Sequence, residues 1–229
     1  MIFDGSVQGS AALIDALDRL KQQGSVLLVV GELSRGSHQL ACQHLMGDQS
    51  MHRHRLFVSS DGTSSVQQSA ISDSSHHRDY IIDYLTDTDA EVECPLSSPD
   101  PAGVPHSTAT CPSTLIGEVV RTLREIERAA QPFTAGEVRV CVDSLETLIE
   151  TYGRQTALRL VRYVTEAAQR RTGIIHLHLP VDRDDPLTRL FEPLSDAVIE
   201  LRAADTQPQQ RWHLMNEGIQ SDWTSVAVK

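Results

Sequence analysis

Apolar positions recur with a helical period over residues 9–23, where Ala11, Leu13, Ile14, Leu17 and Leu20 share one side. Gly24 closes that helix, and Ser25–Val30 then reads as a continuously apolar, buried strand. A second helix is predicted from about Ser37 to Met46. Strands follow at Arg55–Val58 and Asp79–Leu85, with room for a helix near Ser64–Ser72 between them. Ser113 is a good N-cap for a helix running to about Ala130, with Leu115, Ile116, Val119, Val120, Leu123 and Ile126 inward. The second half is regular. A strand over Glu137–Asp143, a short helix over Leu145–Glu150 and a longer one over Arg154–Arg171 lead to the strand Ile174–Leu179, stopped by Pro180. A short helix over Pro186–Pro193, a strand over Ala197–Arg202 and a closing β-hairpin from Gln209–Leu214 and Trp223–Val228 complete the pattern. Continuously apolar strands alternating with helices predict an α/β fold, with a mostly parallel sheet covered on both faces. One domain over residues 1–229 is expected.

Residues 86–113 break this pattern. They carry five prolines and almost no large apolar side chain, which predicts an exposed, mobile loop. The apolar runs are strand-sized, so no membrane span is expected, and the first residues lack a secretory pattern. A cytoplasmic location is the expectation. Charge sharpens the picture: 31 acidic residues face 20 basic ones, for a net charge of −11, and Lys21 and Lys229 are the only lysines. A carboxylate-rich, lysine-poor surface predicts a salt-adapted protein of haloarchaeal kind; an Arg-rich bacterial origin is the alternative. Bulk attraction to nucleic acid is not expected. Cys42, Cys94, Cys111 and Cys141 occur singly, without a C-x-x-C pair, so zinc and thioredoxin readings find no spacing to support them. Idle buried thiols are predicted, although Cys94 and Cys111 bracket one loop and could bridge.

In open α/β sheets, ligands bind beyond the carboxyl ends of the strands. The turn after the first strand reads Gly31-Glu32-Leu33-Ser34-Arg35-Gly36-Ser37-His38, the G-x-x-x-x-G frame of a phosphate loop. Ser37 and His38 stand where such a loop has lysine and a magnesium-binding hydroxyl, and Glu32 would repel a phosphate. Backbone N–H groups with Arg35 as the cation could still cradle an anion. Alternatively, the loop now only joins strand to helix. The strand Val138–Asp143 ends in a carboxylate, as a Walker B strand does.

The runs V-L-L-V-V-G-x-x-x-x-G, L-F-V-S-S-D, V-R-V-C-V-D-S-L-E-T-L and D-A-V-I-E-L-R together resemble the RecA/KaiC-like P-loop ATPase superfamily, closest to degenerate KaiC-like members of haloarchaea. The resemblance spans about residues 9–228, apart from the loop at 86–113. It implies a RecA-like sheet, ATP as the ligand of Gly31, Arg35, Gly36, Ser37 and His38, Asp143 as the Walker B acid, and Asp61 near the catalytic glutamate. With the lysine and hydroxyl gone, Asp61 and Asp143 are expected to be vestigial. The chain is then a pseudo-ATPase acting as a regulatory or scaffolding protein. A related RecA/KaiC-like ATPase or a signalling protein is the expected partner, and self-association stays open. A nucleotide-binding ATPase with a non-standard loop and a recombinase paralogue in DNA repair are the alternatives.

Ten histidines raise a metal hypothesis, but His52-x-His54 and His76-His77 show no carboxylate or cysteine at a ligand spacing, and a solvated, weakly basic patch is expected. No metal ligand is assigned. His176 and His178 share a face of one strand, where hydrogen-bonded core histidines are predicted. Arg154, Arg159, Arg162, Arg170 and Arg171 form a basic stripe on one helix, interrupted by Glu166, suited to solvent or an acidic partner.

Overall fold

The computed structural model describes residues 11–47, 52–60, 77–84, 105–130 and 134–226. Helix α1 (Ala11–Gln23) leads into strand β1 (Ser25–Val30), then α2 (Arg35–Met46), β2 (Arg53–Ser59), β3 (His77–Tyr84) and β4 (His106–Ala109). Next come α3 (Pro112–Ala130), β5 (Val138–Asp143), α4 (Leu145–Tyr152), α5 (Arg154–Gln169) and β6 (Ile174–Leu179). Helix α6 (Pro186–Phe191), a 3-10 turn (Glu192–Leu194), β7 (Ala197–Arg202), β8 (Gln209–Leu214), β9 (Ile219–Gln220) and β10 (Thr224–Ser225) complete the chain. The strands form one sheet in the order β10-β8-β7-β1-β6-β5-β2-β3-β4, with β9 also on β8. Strands β1 to β7 pair in parallel, and β8 runs antiparallel to β7, β9 and β10. The expected α/β fold with a terminal hairpin is therefore present.

Every residue of β1, β2 and β6 is buried, because helices cover both faces of these strands. Alternation decides which way each side chain points. Val26, Leu28 and Val30 join a core under α3, α4 and α5, while Leu27 and Val29 face Leu13, Ala16, Leu17 and Leu20 of α1 and Ala41 and Leu45 of α2. Each fully buried Leu or Val contributes about 1.5–3 kcal/mol by leaving water, so the two cores dominate the fold's stability. On the α2 side a third cluster unites Cys42, Met46, Phe57 and Cys141.

Two buried arginines hold the far end of α2. Arg139 Nη1 donates to the Leu45 carbonyl at 3.1 Å, and Arg53 Nη1 donates to the Met46 carbonyl at 3.2 Å. Cations there complement the helix dipole and satisfy its last carbonyls. Burial, with Arg53 beside it, pulls the Arg139 guanidinium down to about 9.

The Pro-rich stretch departs from expectation at its far end. His106–Ala109 is an edge strand on β3, and α3 begins at Pro112, inside the span expected to be a loop. Its small polar residues suit an edge, where one ladder and one face meet solvent. The possible helix near 64–72, Cys94 and most of the expected loop lie outside the described residues. Among those described, no helix is long and apolar enough to cross a membrane.

Candidate functional site

Strands β1, β2, β5 and β6 end on one side of the sheet, and a cleft of 370 Å³ opens there, lined by Leu33, Arg35, His38, Ser60, Asp143 and Thr147 among others. This is where a parallel sheet presents its loops to a ligand. The two sequence landmarks, the Gly31–His38 loop and Asp143, are thus brought together. Arg35 Nη2 stands 4.0 Å from Asp143 Oδ2 at the exposed mouth. Burial raises the Asp143 carboxyl, against the charges of Arg35 and His38. The Asp143–Ser144 peptide is cis. Ser144 caps α4 by accepting from Thr147 N, and its carbonyl accepts from Tyr84 Oη at 3.0 Å under the cleft.

The loop is short. Gly31 has φ +142, and its N–H donates to the Val181 carbonyl at 2.8 Å. Helix α2 starts at Arg35, two residues before the expected start at Ser37. Gly36 has no left-handed backbone, and a Cβ there would find only Ser34 Oγ, at 3.8 Å, so sterics do not require the second glycine of the motif. Ser37 Oγ lies 3.3 Å from Ser34 Oγ, while Glu32 is exposed. Asp61 lies outside the described residues.

His38 points into the molecule. Its Nε2 lies 2.9 Å from the Gly31 carbonyl and its Nδ1 3.3 Å from His178 Nδ1. A carbonyl only accepts, so Nε2 carries the proton and Nδ1 accepts from His178 Nδ1–H. Burial pushes the His38 imidazole down, against its bond to Gly31 and the charge of Asp143. The series continues, because His178 Nε2 faces His176 Nδ1 at 3.0 Å. Burial holds both rings neutral, with His176 lowered to about 3. Both are thus hydrogen-bonded core histidines, as expected, while His176 Nε2 has no hydrogen-bond partner.

Beside these rings, Cys42 Sγ lies 3.1 Å from Cys141 Sγ. One ligand atom from each of Cys42, Cys141, His176 and His178 falls in a buried group, all within 4.8 Å of one another. Motif spacing missed this group because its members come from three elements. The legible signal was weaker: His38 and Cys42 one helical turn apart, and His176-x-His178 on one strand face. A second group unites His52, His54 and Glu137, so the H-x-H pair does have a carboxylate neighbour. His52 Nδ1 lies 3.2 Å from Glu137 Oε1. Burial works to raise Glu137, but hydrogen bonds from Thr134 and His52 outweigh it and hold the carboxyl low. His76 and the side chain of His77 lie outside the described residues.

The basic stripe of α5 is partly neutralised, with Arg170 bound to Glu166 and Arg171 to Glu127, each at 2.6 Å. Cys111, just before α3, has Ser113 Oγ and Thr114 Oγ1 each 3.1 Å from its sulfur. Those hydrogen bonds favour the thiolate and lower Cys111 to about 7. Alkylation of Cys111 by iodoacetamide should therefore rise roughly tenfold between about pH 6 and pH 8, then level off, while Cys42 and Cys141 stay protected. Peptide mass spectrometry across that range checks it; a rate still climbing above pH 9 would refute the lowered value.

No curated protein matches the chain. Residues 24–201, from the start of β1 through β7, match the model of DUF7504, a family of unknown function, and the chain belongs to that family.

Proposed function

We propose that this chain is a RecA/KaiC-like domain that has lost ATP hydrolysis and works as a regulatory or scaffolding protein through contacts with a protein partner. One observation carries the reading. The side chain at the magnesium-hydroxyl position, His38, is turned away from solvent onto the Gly31 carbonyl and His178. An imidazole whose two nitrogens are already engaged has no lone pair to offer a hydrated magnesium ion. Ser37, at the lysine position, is too short to reach a β- or γ-phosphate, and the nearby cation, Arg35, already faces Asp143. Without those groups, the charge that develops on a transferring phosphoryl group finds little stabilisation. The cleft position and Asp143 agree with descent from an ATPase. A related ATPase or a signalling protein suits the remaining surface, reached through the loop side of the sheet or the exposed arginines of α5.

Purified protein at molar salt, given ATP and magnesium, is expected to release phosphate at the background rate. A magnesium-dependent turnover abolished by Asp143→Asn would overturn the proposal.

A further inference from the structure

The four-residue group under α2 has the composition and geometry of a closed metal site. Two thiols and two imidazoles are the donor set of structural zinc, and they suit softer divalent ions over magnesium or calcium. Zinc bonds of about 2.3 Å to sulfur and 2.0–2.1 Å to nitrogen place tetrahedral ligands about 3.8 Å (S···S) and 3.3 Å (N···N) apart. The observed separations, 3.1 Å between the sulfurs and 3.0 Å between His176 Nδ1 and His178 Nε2, need only a small expansion. Sheet register places three of the four members directly. Cys141 on β5 lies opposite His176 on β6, and His178 follows two residues later on the same face. Helix α2 then lowers Cys42 onto them.

Ring orientation supplies a second, independent argument. Ligating histidines usually give their other N–H to a fixed acceptor, which sets the tautomer. His178 does so through Nδ1–H to His38, and His38 in turn is fixed by the Gly31 carbonyl. The Nε2 of His178 thereby faces His176 Nδ1, 3.0 Å away, in the group that also holds the two cysteines. All four residues are buried, and one donor atom from each lies within 4.8 Å of the others, which is the convergence a closed metal site requires.

We infer that Cys42, Cys141, His176 and His178 bind one zinc ion as a structural centre joining α2 to β5 and β6, with His38 as a positioning residue linking that centre to the loop at Gly31. Binding is balanced in charge: Zn²⁺ displaces one proton from each of the two thiols, the His176 proton moves from Nδ1 to Nε2 to free the ligating lone pair, two protons leave to solvent, and a neutral complex remains in the core. Four protein ligands leave no open position, so the centre shapes the cleft and catalyses nothing itself. The inference does not depend on the loss of ATP hydrolysis.

Metal analysis and native mass spectrometry of the full chain, expressed with zinc in the medium, test it. One zinc per chain is expected, lost in Cys42→Ser and in Cys141→Ser and kept in Cys111→Ser. His38→Ala should weaken zinc affinity about 10- to 100-fold while all four ligands remain. Cobalt exchange into the wild-type chain keeps the test decisive if the serine variants fail to fold. The expected spectrum combines tetrahedral d–d bands with thiolate-to-cobalt charge transfer. Zinc retained by both serine variants, cobalt bound without the thiolate band (as at His52, His54 and Glu137), a chain lighter by two hydrogens through a Cys42–Cys141 disulfide, or a chain that takes up neither metal would each overturn the inference.

Discussion

Gly31→Ala is expected to cost about 2–4 kcal/mol of folding stability and to lower Tm by roughly 5–15 °C. The residue has φ +142, a region that side-chain-bearing residues avoid, and an added Cβ would lie 2.5 Å from the Leu201 carbonyl oxygen on β7. Neither partner can yield easily. The Gly31 N–H is held by Val181, its carbonyl accepts from Leu33 N and His38, and Leu201 belongs to the ladder between β7 and β8. The first glycine of the loop is therefore retained for the backbone, whatever the loop now binds. Gly117→Ala is the control. That glycine sits exposed in α3 with nothing within 4 Å of a built Cβ, so alanine should stabilise by about 0.5–1 kcal/mol. Chemical denaturation of both variants checks the contrast; an unchanged midpoint for Gly31→Ala would mean that β1 and β7 separate freely at this end.

Asp79→Ala should be at least as damaging, at about 3–5 kcal/mol. Arg55 on β2 and Asp79 on β3 are register partners, and their side chains form two parallel bonds, Nε–Oδ1 at 2.7 Å and Nη2–Oδ2 at 2.9 Å. Both side chains are almost wholly buried. Deleting the carboxylate strips the bidentate partner from a desolvated guanidinium, which is far more costly than losing an exposed ion pair such as Arg170–Glu166. Replacing both residues with leucine should recover most of the loss, because no charge is then left buried. A thermal unfolding cycle over the two single variants and the double variant measures this. Additive losses would show that the two residues act independently.

The elements were legible in the sequence because their signals are local. The apolar runs at Ser25–Val30 and Ile174–Leu179 mark strands buried on both faces, and both are found at the expected residues. Strand β4 was not legible, since His-Ser-Thr-Ala has no apolar alternation and gains its place from pairing with β3. The candidate site divides in the same way. The loop and Asp143 carry local signatures, and the sheet order sets them around one cleft. The Cys42, Cys141, His176 and His178 group carries no signature of spacing. Its members lie 136 residues apart at the extremes of the numbering (42 to 178), and only the adjacency of β5 and β6 under α2 makes them neighbours. The inward turn of His38 was equally hidden, because a histidine after a helix start reads as readily for solvent as for core.

The position of β1 has a consequence for how the chain is made. Among the described strands it is the first to leave the ribosome, yet its two neighbours are β6 and β7, the nearer of which follows about 150 residues later. At a synthesis rate of about 5–20 residues per second, β1 waits on the order of 10 s for either neighbour. Meanwhile β2 and β3 can pair with each other. The apolar run Ser25–Val30 must spend that interval covered by α1 and α2 or by a chaperone, and nascent chains that stop before β6 should remain open to protease at this segment.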